Sequence, residues 1–190
     1  MSKPRNQYYK NTDKKIQNAM LELLQTKEIH KITVNDICSK AEINRSSFYA
    51  HYENIYDLME KMEKEIELGV VEIYKNSDIS LDNFFSERRE EYLAIMIRFI
   101  GQHRDFYRAY MKLHPSNDIV SSMRLLLETG SRPYFDLLGL ESEKDIIYHL
   151  TFFNKGMMSV IQYWIDTGCE ETPEYLSNLI WKGITDLGKR

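Results

Sequence analysis

Along most of the chain, apolar residues return every third or fourth position, the period that lines them up on one face of an α-helix. Ile16, Met20, Leu23 and Leu24 make one such stripe ending near Thr26, with Thr12 as its expected N-cap. Thr33 stands where a cap is needed for a short second helix through Ala41, with Ile37, Cys38 and Ala41 on the buried side. After Glu42 and Ile43, Asn44 caps a third helix over residues 45–52, with Phe48 and Tyr52 on its inner face. Asn54 caps a long fourth helix along which Leu58, Met62, Ile66, Val70 and Ile73 step by three and four. Residues 75–80 interrupt the pattern.

A helix opening at Ser80 or Asp82 then carries Phe84, Phe85, Tyr92, Met96, Phe99 and Ile100. Helical stretches over 103–113 and 117–129 follow, with a break at 130–133. Ser142 caps a long helix that Gly168 terminates, and Thr172 with Pro173 opens the last one. Alternation of the strand type never persists. The pattern predicts an all-α fold of about nine helices, divided into a head over residues 1–54 and a helical body over 55–190.

Composition narrows the function classes. The 190 residues are 43% hydrophobic, enough for a real core, and carry a formal net charge of -4. Two cysteines, Cys38 and Cys169, cannot make a disulfide framework, which points to a reducing, cytoplasmic setting. No apolar run of about 18 residues and no basic-then-apolar leader appear, so neither a membrane protein nor a secreted one is expected. The net charge alone speaks against a nucleic-acid partner, but its distribution reverses that. Residues 1–55 hold nine Lys or Arg and six Asp or Glu, whereas the remainder holds sixteen and twenty-three. A basic head on an acidic body can still meet phosphate.

Residues 33–52, TVNDICSKAEINRSSFYAHY, read as a helix-turn-helix. Two short helices crossing steeply need small side chains at the crossing, and Cys38 and Ala41 meet that demand. Ile37, Ile43 and Phe48 supply the shared core, which leaves Asn44, Arg45, Ser46, Ser47 and Tyr49 on the solvent side. An Arg able to fork onto guanine, short hydroxyls that allow close approach, and a rim aromatic suit the major groove of a duplex. A helix hairpin of this size also occurs in ordinary bundles.

At these residues the chain resembles the TetR family of bacterial transcription regulators. The family pattern T-V-x-D-I-x-x-x-A, a short turn, then x-x-[ST]-x-Y-x-H-F and a leucine in the next helix is matched by Thr33, Val34, Asp36, Ile37, Ala41, Ser47, Tyr49, His51 and Leu58. Tyr52 stands for the usual Phe. The resemblance covers residues 12–60 and implies contact with double-stranded DNA by Thr33, Asn44, Arg45, Ser46, Ser47, Tyr49, His51 and Tyr52. Within that set, Tyr49 and His51 would meet phosphates, and Arg45, Ser46 and Ser47 would face bases. Two positions depart from the pattern. Glu42 replaces a turn Gly, which asks a β-carbon to sit at positive φ at a cost of about 1 kcal/mol. Ile55 replaces a phosphate-contacting Lys, leaving Lys61 or the N-terminal Arg5, Lys10, Lys14 and Lys15 to supply that charge.

A palindromic operator is read by a two-fold dimer, and a dimer needs apolar surface beyond the protomer's own core. The last two helices offer Phe153, Met157, Val160, Ile161 and Trp164, then Leu176, Leu179 and Ile180. These resemble the C-terminal homodimer interface of one branch of the family; the plainer alternative is a monomer's core. Tyr92, Met96, Phe99, Tyr107, Tyr110 and Met157 are candidates to line a pocket for a small apolar or aromatic ligand, although an aromatic stripe at helical spacing also serves as ordinary core. No histidine pair has metal-ligand spacing, and no C-x-x-C, phosphate loop or nucleophile elbow occurs, so no enzyme, metal or cofactor is expected. The reading that follows is a homodimeric, sequence-specific DNA-binding regulator, a repressor releasable from its operator by a small ligand. Its competitor is a helical protein-interaction module or coactivator of the same fold without operator binding.

Overall fold

The computed structural model describes residues 3–76, 88–114 and 142–185. The helix starts expected at Ser80 or Asp82, the stretch 117–129 and the break at 130–133 lie outside the described residues. Those residues form eight α-helices and a short 3-10 turn, with no strand among them. The chain divides into two compact units, Met1–Gly69 and Val70–Arg190.

The first unit holds α1 (Lys3–Thr26), the 3-10 turn Ile29–Lys31, α2 (Val34–Ala41), α3 (Arg45–Tyr49) and most of α4 (Ile55–Lys75). Its buried side chains include Ile16, Met20 and Leu24 from α1, Ile37, Cys38 and Ala41 from α2, Phe48 from α3, and Leu58, Met59 and Met62 from α4. Met59 lies beside the expected stripe, of which Leu23 and Ile66 are only half-buried. Because α4 buries its first turns among these residues, the compact unit runs past position 54 to Gly69. Asn54 caps α4 as expected, its Oδ1 accepting from the N–H groups of Tyr56 at 2.8 Å and Asp57 at 3.0 Å.

One expectation is corrected. Thr12 is no N-cap: α1 already begins at Lys3, and Thr12 lies buried inside it. Its hydroxyl donates to the Tyr8 carbonyl one turn back at 3.0 Å, which satisfies a buried polar group without ending the helix. The residues ahead of it contain no breaker except Pro4, and Pro4 sits in the first turn, where a missing N–H costs nothing.

The second unit is held by α5 (Arg89–Gln102), α6 (Arg104–Leu113), α7 (Glu143–Asp166) and α8 (Pro173–Thr185). Leu93, Ile97 and Ile100 of α5 meet Met157, Ile161, Trp164 and Ile165 of α7 and Leu176, Ile180 and Trp181 of α8 in one core. Polar contacts fix the helix ends around it. Ser142 caps α7 through the Asp145 N–H at 3.0 Å. At the other end Gly168 takes φ 98, its N–H donating to Ile165 and that of Cys169 to Trp164, the paired arrangement that consumes orphan carbonyls. Arg108 of α6 adds a donor to the Ile165 carbonyl at 2.8 Å, placing positive charge at the negative end of the α7 dipole. The fully buried Ser177 hydroxyl of α8 donates to the Glu90 carbonyl of α5 at 2.6 Å.

Gly101 is required by the close approach of α5 and α7. A β-carbon there would lie 2.8 Å from Cη2 of Trp164, whose indole is fixed by donating to the Glu171 carbonyl at 3.0 Å. Gly101→Ala gains about 1 kcal/mol of helix propensity but forces overpacking worth about 1–3 kcal/mol. The expected net outcome is a lower urea midpoint with an unchanged m value; a raised midpoint would mean that the indole has room to move.

Candidate nucleic-acid interface

The interface is built on α3, a helix of only five residues. Such a segment has no stability of its own, because helix nucleation fixes several residues for each bond it makes. Local devices hold it. Asn44 lies in extended backbone and accepts the Ser47 N–H at 2.7 Å, capping the helix. The Ser46 hydroxyl donates to the same Asn44 oxygen at 2.6 Å. On the opposite side, the fully buried Phe48 ties the helix to the core of the first unit. The regular helix ends at Tyr49, short of the expected residue 52. Ala50 to Tyr52 instead form a tight turn, in which the N–H groups of His51 and Tyr52 both donate to the Phe48 carbonyl.

Ahead of α3, Thr33 and Asp36 form a reciprocal cap on α2. The Thr33 hydroxyl oxygen accepts from the Asp36 N–H at 3.2 Å, and the Asp36 carboxylate accepts the Thr33 N–H at 2.8 Å. The Lys27 ammonium beside Asp36 and the Thr33 donors hold that carboxyl down at about 2. The turn residue Glu42 adopts φ 55 and ψ 47, so the left-handed position inferred from the sequence exists and carries a β-carbon. Burial pushes the Cys38 thiol up, as befits a small packing residue at the helix crossing.

The predicted contact residues fall into two groups. Thr33, Asn44, Arg45, Ser46 and Tyr49 are exposed and Ser47 is partly so. Arg45 and Tyr49, one turn apart, touch each other through a 3.3 Å hydrogen bond from the guanidinium to the phenol oxygen. His51 and Tyr52 are different: neither side chain stands in solvent. The His51 side chain is 4% exposed and stacks on Tyr9 of α1 with ring centroids 3.8 Å apart. Tyr52 is buried, and its hydroxyl donates to Asp13 at 2.5 Å. Burial, reinforced by that acceptor, raises the Tyr52 pKa far above its ordinary value, so it stays a neutral donor. Both residues serve as the seat of α3 because the turn after Tyr49 swings their side chains inward against α1.

Sequence reasoning missed α1's share in this seat. Tyr9 lays its ring on His51 and donates its hydroxyl to the Ala50 carbonyl at 3.3 Å, Asp13 receives Tyr52, and Gln17 reaches Glu65 of α4 at 3.0 Å. The three lie four residues apart, a spacing visible in the sequence, but their polar character disguises a face that makes contacts with the rest of the unit. Lys61 donates to the His51 carbonyl at 3.2 Å and to Asp57 at 3.0 Å, so its charge is committed within the protomer.

In the second unit, the expected dimer residues also divide. Met157, Ile161, Trp164, Leu176 and Ile180 belong to the protomer's own core, and Phe153 packs partly against it. Only Val160 and Leu179 of that set are exposed. Tyr148, Phe152 and Tyr163 of α7 and Tyr175 of α8 are exposed as well, Phe152 at 70% and Tyr163 at 72%. α7 therefore carries two adjacent apolar stripes, and only one of them faces inward. Of the expected pocket residues, Met96, Tyr107 and Met157 join the core cluster, whereas Tyr92, Phe99 and Tyr110 lie outside it. Phe99 rests instead against His103 and Tyr110 stacks on Phe106. Among the described residues no helix is long and apolar enough to cross a membrane.

Two family models match the chain. That of the bacterial regulatory proteins of the TetR family covers residues 16–62, and that of a transcriptional regulator C-terminal region covers residues 87–186, more than half of the chain. The chain belongs to the TetR family of transcriptional regulators. One curated relative is the HTH-type transcriptional regulator YxbF of Bacillus subtilis (strain 168), 22% identical over 173 residues. That match takes in 90% of this chain but 44% of YxbF, so the chain spans less than half the length of that relative. A TetR-like transcriptional regulator from Rhodococcus sp. RHA1 shares the fold with a TM-score of 0.60 and 20% identity, over 92% of this chain and 96% of its own. A TetR transcriptional regulator from Streptococcus agalactiae 2603V does so with a TM-score of 0.55 and 24% identity, over 95% and 97%.

The seat makes a prediction that separates support from contact. Tyr52→Phe removes the hydroxyl donated to Asp13 and should lower the stability of the first unit by about 1 kcal/mol. DNA affinity per folded molecule should be unchanged. Loss of affinity at full foldedness would make Tyr52 a contact residue instead.

Proposed function

We propose that the chain is a homodimeric, sequence-specific DNA-binding repressor that reads a palindromic operator with α3 in the major groove. The observation that carries this reading is the division of α3 itself. Phe48 is wholly buried, while Asn44, Arg45, Ser46 and Tyr49 stand in solvent, polar, and within reach of one another. A short helix anchored by a single buried aromatic and left bare on its polar side is suited to entering a duplex groove. Arg45 is the base reader, with two parallel donors for guanine; Tyr49 at the rim is a phosphate donor, and the free N–H groups at the capped end of α2 support a second phosphate.

One reading helix specifies half a site, so the apolar face left bare on α7 and α8 completes the proposal. Tyr148, Phe152, Val160 and Tyr163 repeat at helical spacing beside Tyr175 and Leu179, and around Gly156 on the same side there is open space. A second copy of this chain covers that face, and the two copies present their α3 helices to successive turns of one duplex. A small apolar molecule would release the operator only by binding more tightly to a form of the dimer in which the two heads no longer match the groove spacing.

Binding to duplexes recovered from crosslinked cells tests the reading. Arg45→Ala should flatten the preference among sequences by about 1–3 kcal/mol at the position it reads, whereas Tyr49→Phe should weaken binding to every sequence alike. A base preference left intact by Arg45→Ala would remove α3 from the reading role. For the dimer, Phe152→Glu should give a monomer by sedimentation and a large loss of operator affinity. A dimer that persists in that variant would move the interface elsewhere.

A further inference from the structure

From Lys10 onward, the lysines of the first unit fall into two sets. Lys27, Lys31, Lys40, Lys61 and Lys64 each have a carboxylate within 3.0 Å, on Asp36, Glu28, Glu22, Asp57 and Glu67 respectively. Their charge is largely cancelled where it stands. Lys10, Lys14 and Lys15 of α1 are exposed and make no ion pair among the described residues. The uncancelled lysine charge of the head is therefore gathered on the N-terminal half of one helix.

That half of α1 is held against the end of α3. Lys10 follows Tyr9, whose ring lies on His51 and whose hydroxyl reaches the Ala50 carbonyl. Lys14 follows Asp13, which receives the Tyr52 hydroxyl. Lys10 and Lys14 are thus each one residue, and Lys15 two, from a side chain fixed to the turn that closes the reading helix. The carboxylates nearest α3 in sequence work against an anion: Glu42 before it and Glu53 after it are exposed and form no ion pair among the described residues. Apart from Arg45, α3 itself brings no cation to the duplex. Nonspecific attraction to DNA then has to come from somewhere else in the head.

We infer that the N-terminal half of α1 is a second DNA-contacting element, on which Lys10, Lys14 and Lys15 neutralise backbone phosphates flanking the stretch that α3 reads. This rests on the DNA-binding reading of α3. Phosphate neutralisation releases condensed counterions, so the three lysines set the salt dependence and the general affinity of the protein, and Arg45 sets the sequence preference. The role is distinct from seating α3, because Tyr9 and Asp13 do that from the inner face while the lysines stay in solvent.

The experiment uses the full chain and a labelled duplex of mixed sequence, with binding measured across a range of salt concentrations. For Lys10→Gln, Lys14→Gln and Lys15→Gln combined, the slope of log affinity against log salt should become shallower by about 0.9 for each phosphate that is no longer neutralised. Affinity for unrelated duplexes should fall in parallel, with the melting temperature unchanged. The triple Lys→Arg variant should keep the wild-type slope, and Lys64→Gln, which removes a paired lysine, should leave it unaltered. An unchanged slope in the triple Gln variant, with wild-type binding intact, overturns the inference and spares the reading of α3. An equal drop in Lys64→Gln also overturns it, because net charge and not position would then be responsible. If the wild-type chain binds no duplex at all, the inference and the regulator reading fall together.

Discussion

A helix of five residues keeps its shape only if something else supplies the free energy, and in this chain that source is the clamp of α1 on the turn behind α3. Phe48 fixes the roll of the helix by filling the core. Tyr9 on His51 and Asp13 on Tyr52 fix its far end, while Asn44 closes its near end. With both ends and the inner face held, the outer face carries little structural duty beyond the Ser46 hydroxyl on Asn44. Arg45, Ser46 and Tyr49 are therefore available for recognition.

The same clamp explains why His51 and Tyr52 are buried although the resemblance implies contact with DNA. Aromatic and imidazole rings offer area for packing and a polar edge for one directed bond, which suits the joint between two helices. The His51 Nδ1 lies 3.3 Å from Asp13 without a hydrogen bond, and that Asp13 oxygen accepts from Tyr52. The ring is thus held mainly by stacking. In the second unit the division of labour is set by helix phase. One stripe of α7 fills the core with Trp164 lying across Gly101, and the neighbouring stripe, with Phe152 and Tyr163, stays in water.

Caps and turns were legible in the sequence because their chemistry is local. Thr33 with Asp36, Asn44, Asn54, Ser142, Gly168 and Pro173 each mark an end that the structure contains. The left-handed Glu42 was expected from the family resemblance, whose pattern holds Gly at that turn. Thr12 misled because a buried threonine inside a helix satisfies its hydroxyl one turn back, and periodicity carries no mark of that. The α1 clamp was hidden because Tyr9, Asp13 and Gln17 look like a solvated face, and only their partners from residues 50–65 make it an inner one. On α7 and α8, the sequence displayed both apolar stripes. Which of two adjacent stripes turns inward depends on the packing of α5, a long-range fact that spacing does not encode.

In the proposed function, α3 presents its bare side to DNA while its seat stays closed. Amide hydrogen exchange of the full chain, with and without a duplex of mixed sequence, addresses it most directly. Exchange over residues 44–49 and the start of α1 should slow on adding DNA, with no opening of the turn at 50–52. Duplex binding that leaves residues 44–49 unprotected and instead slows exchange only within the second unit would contradict it.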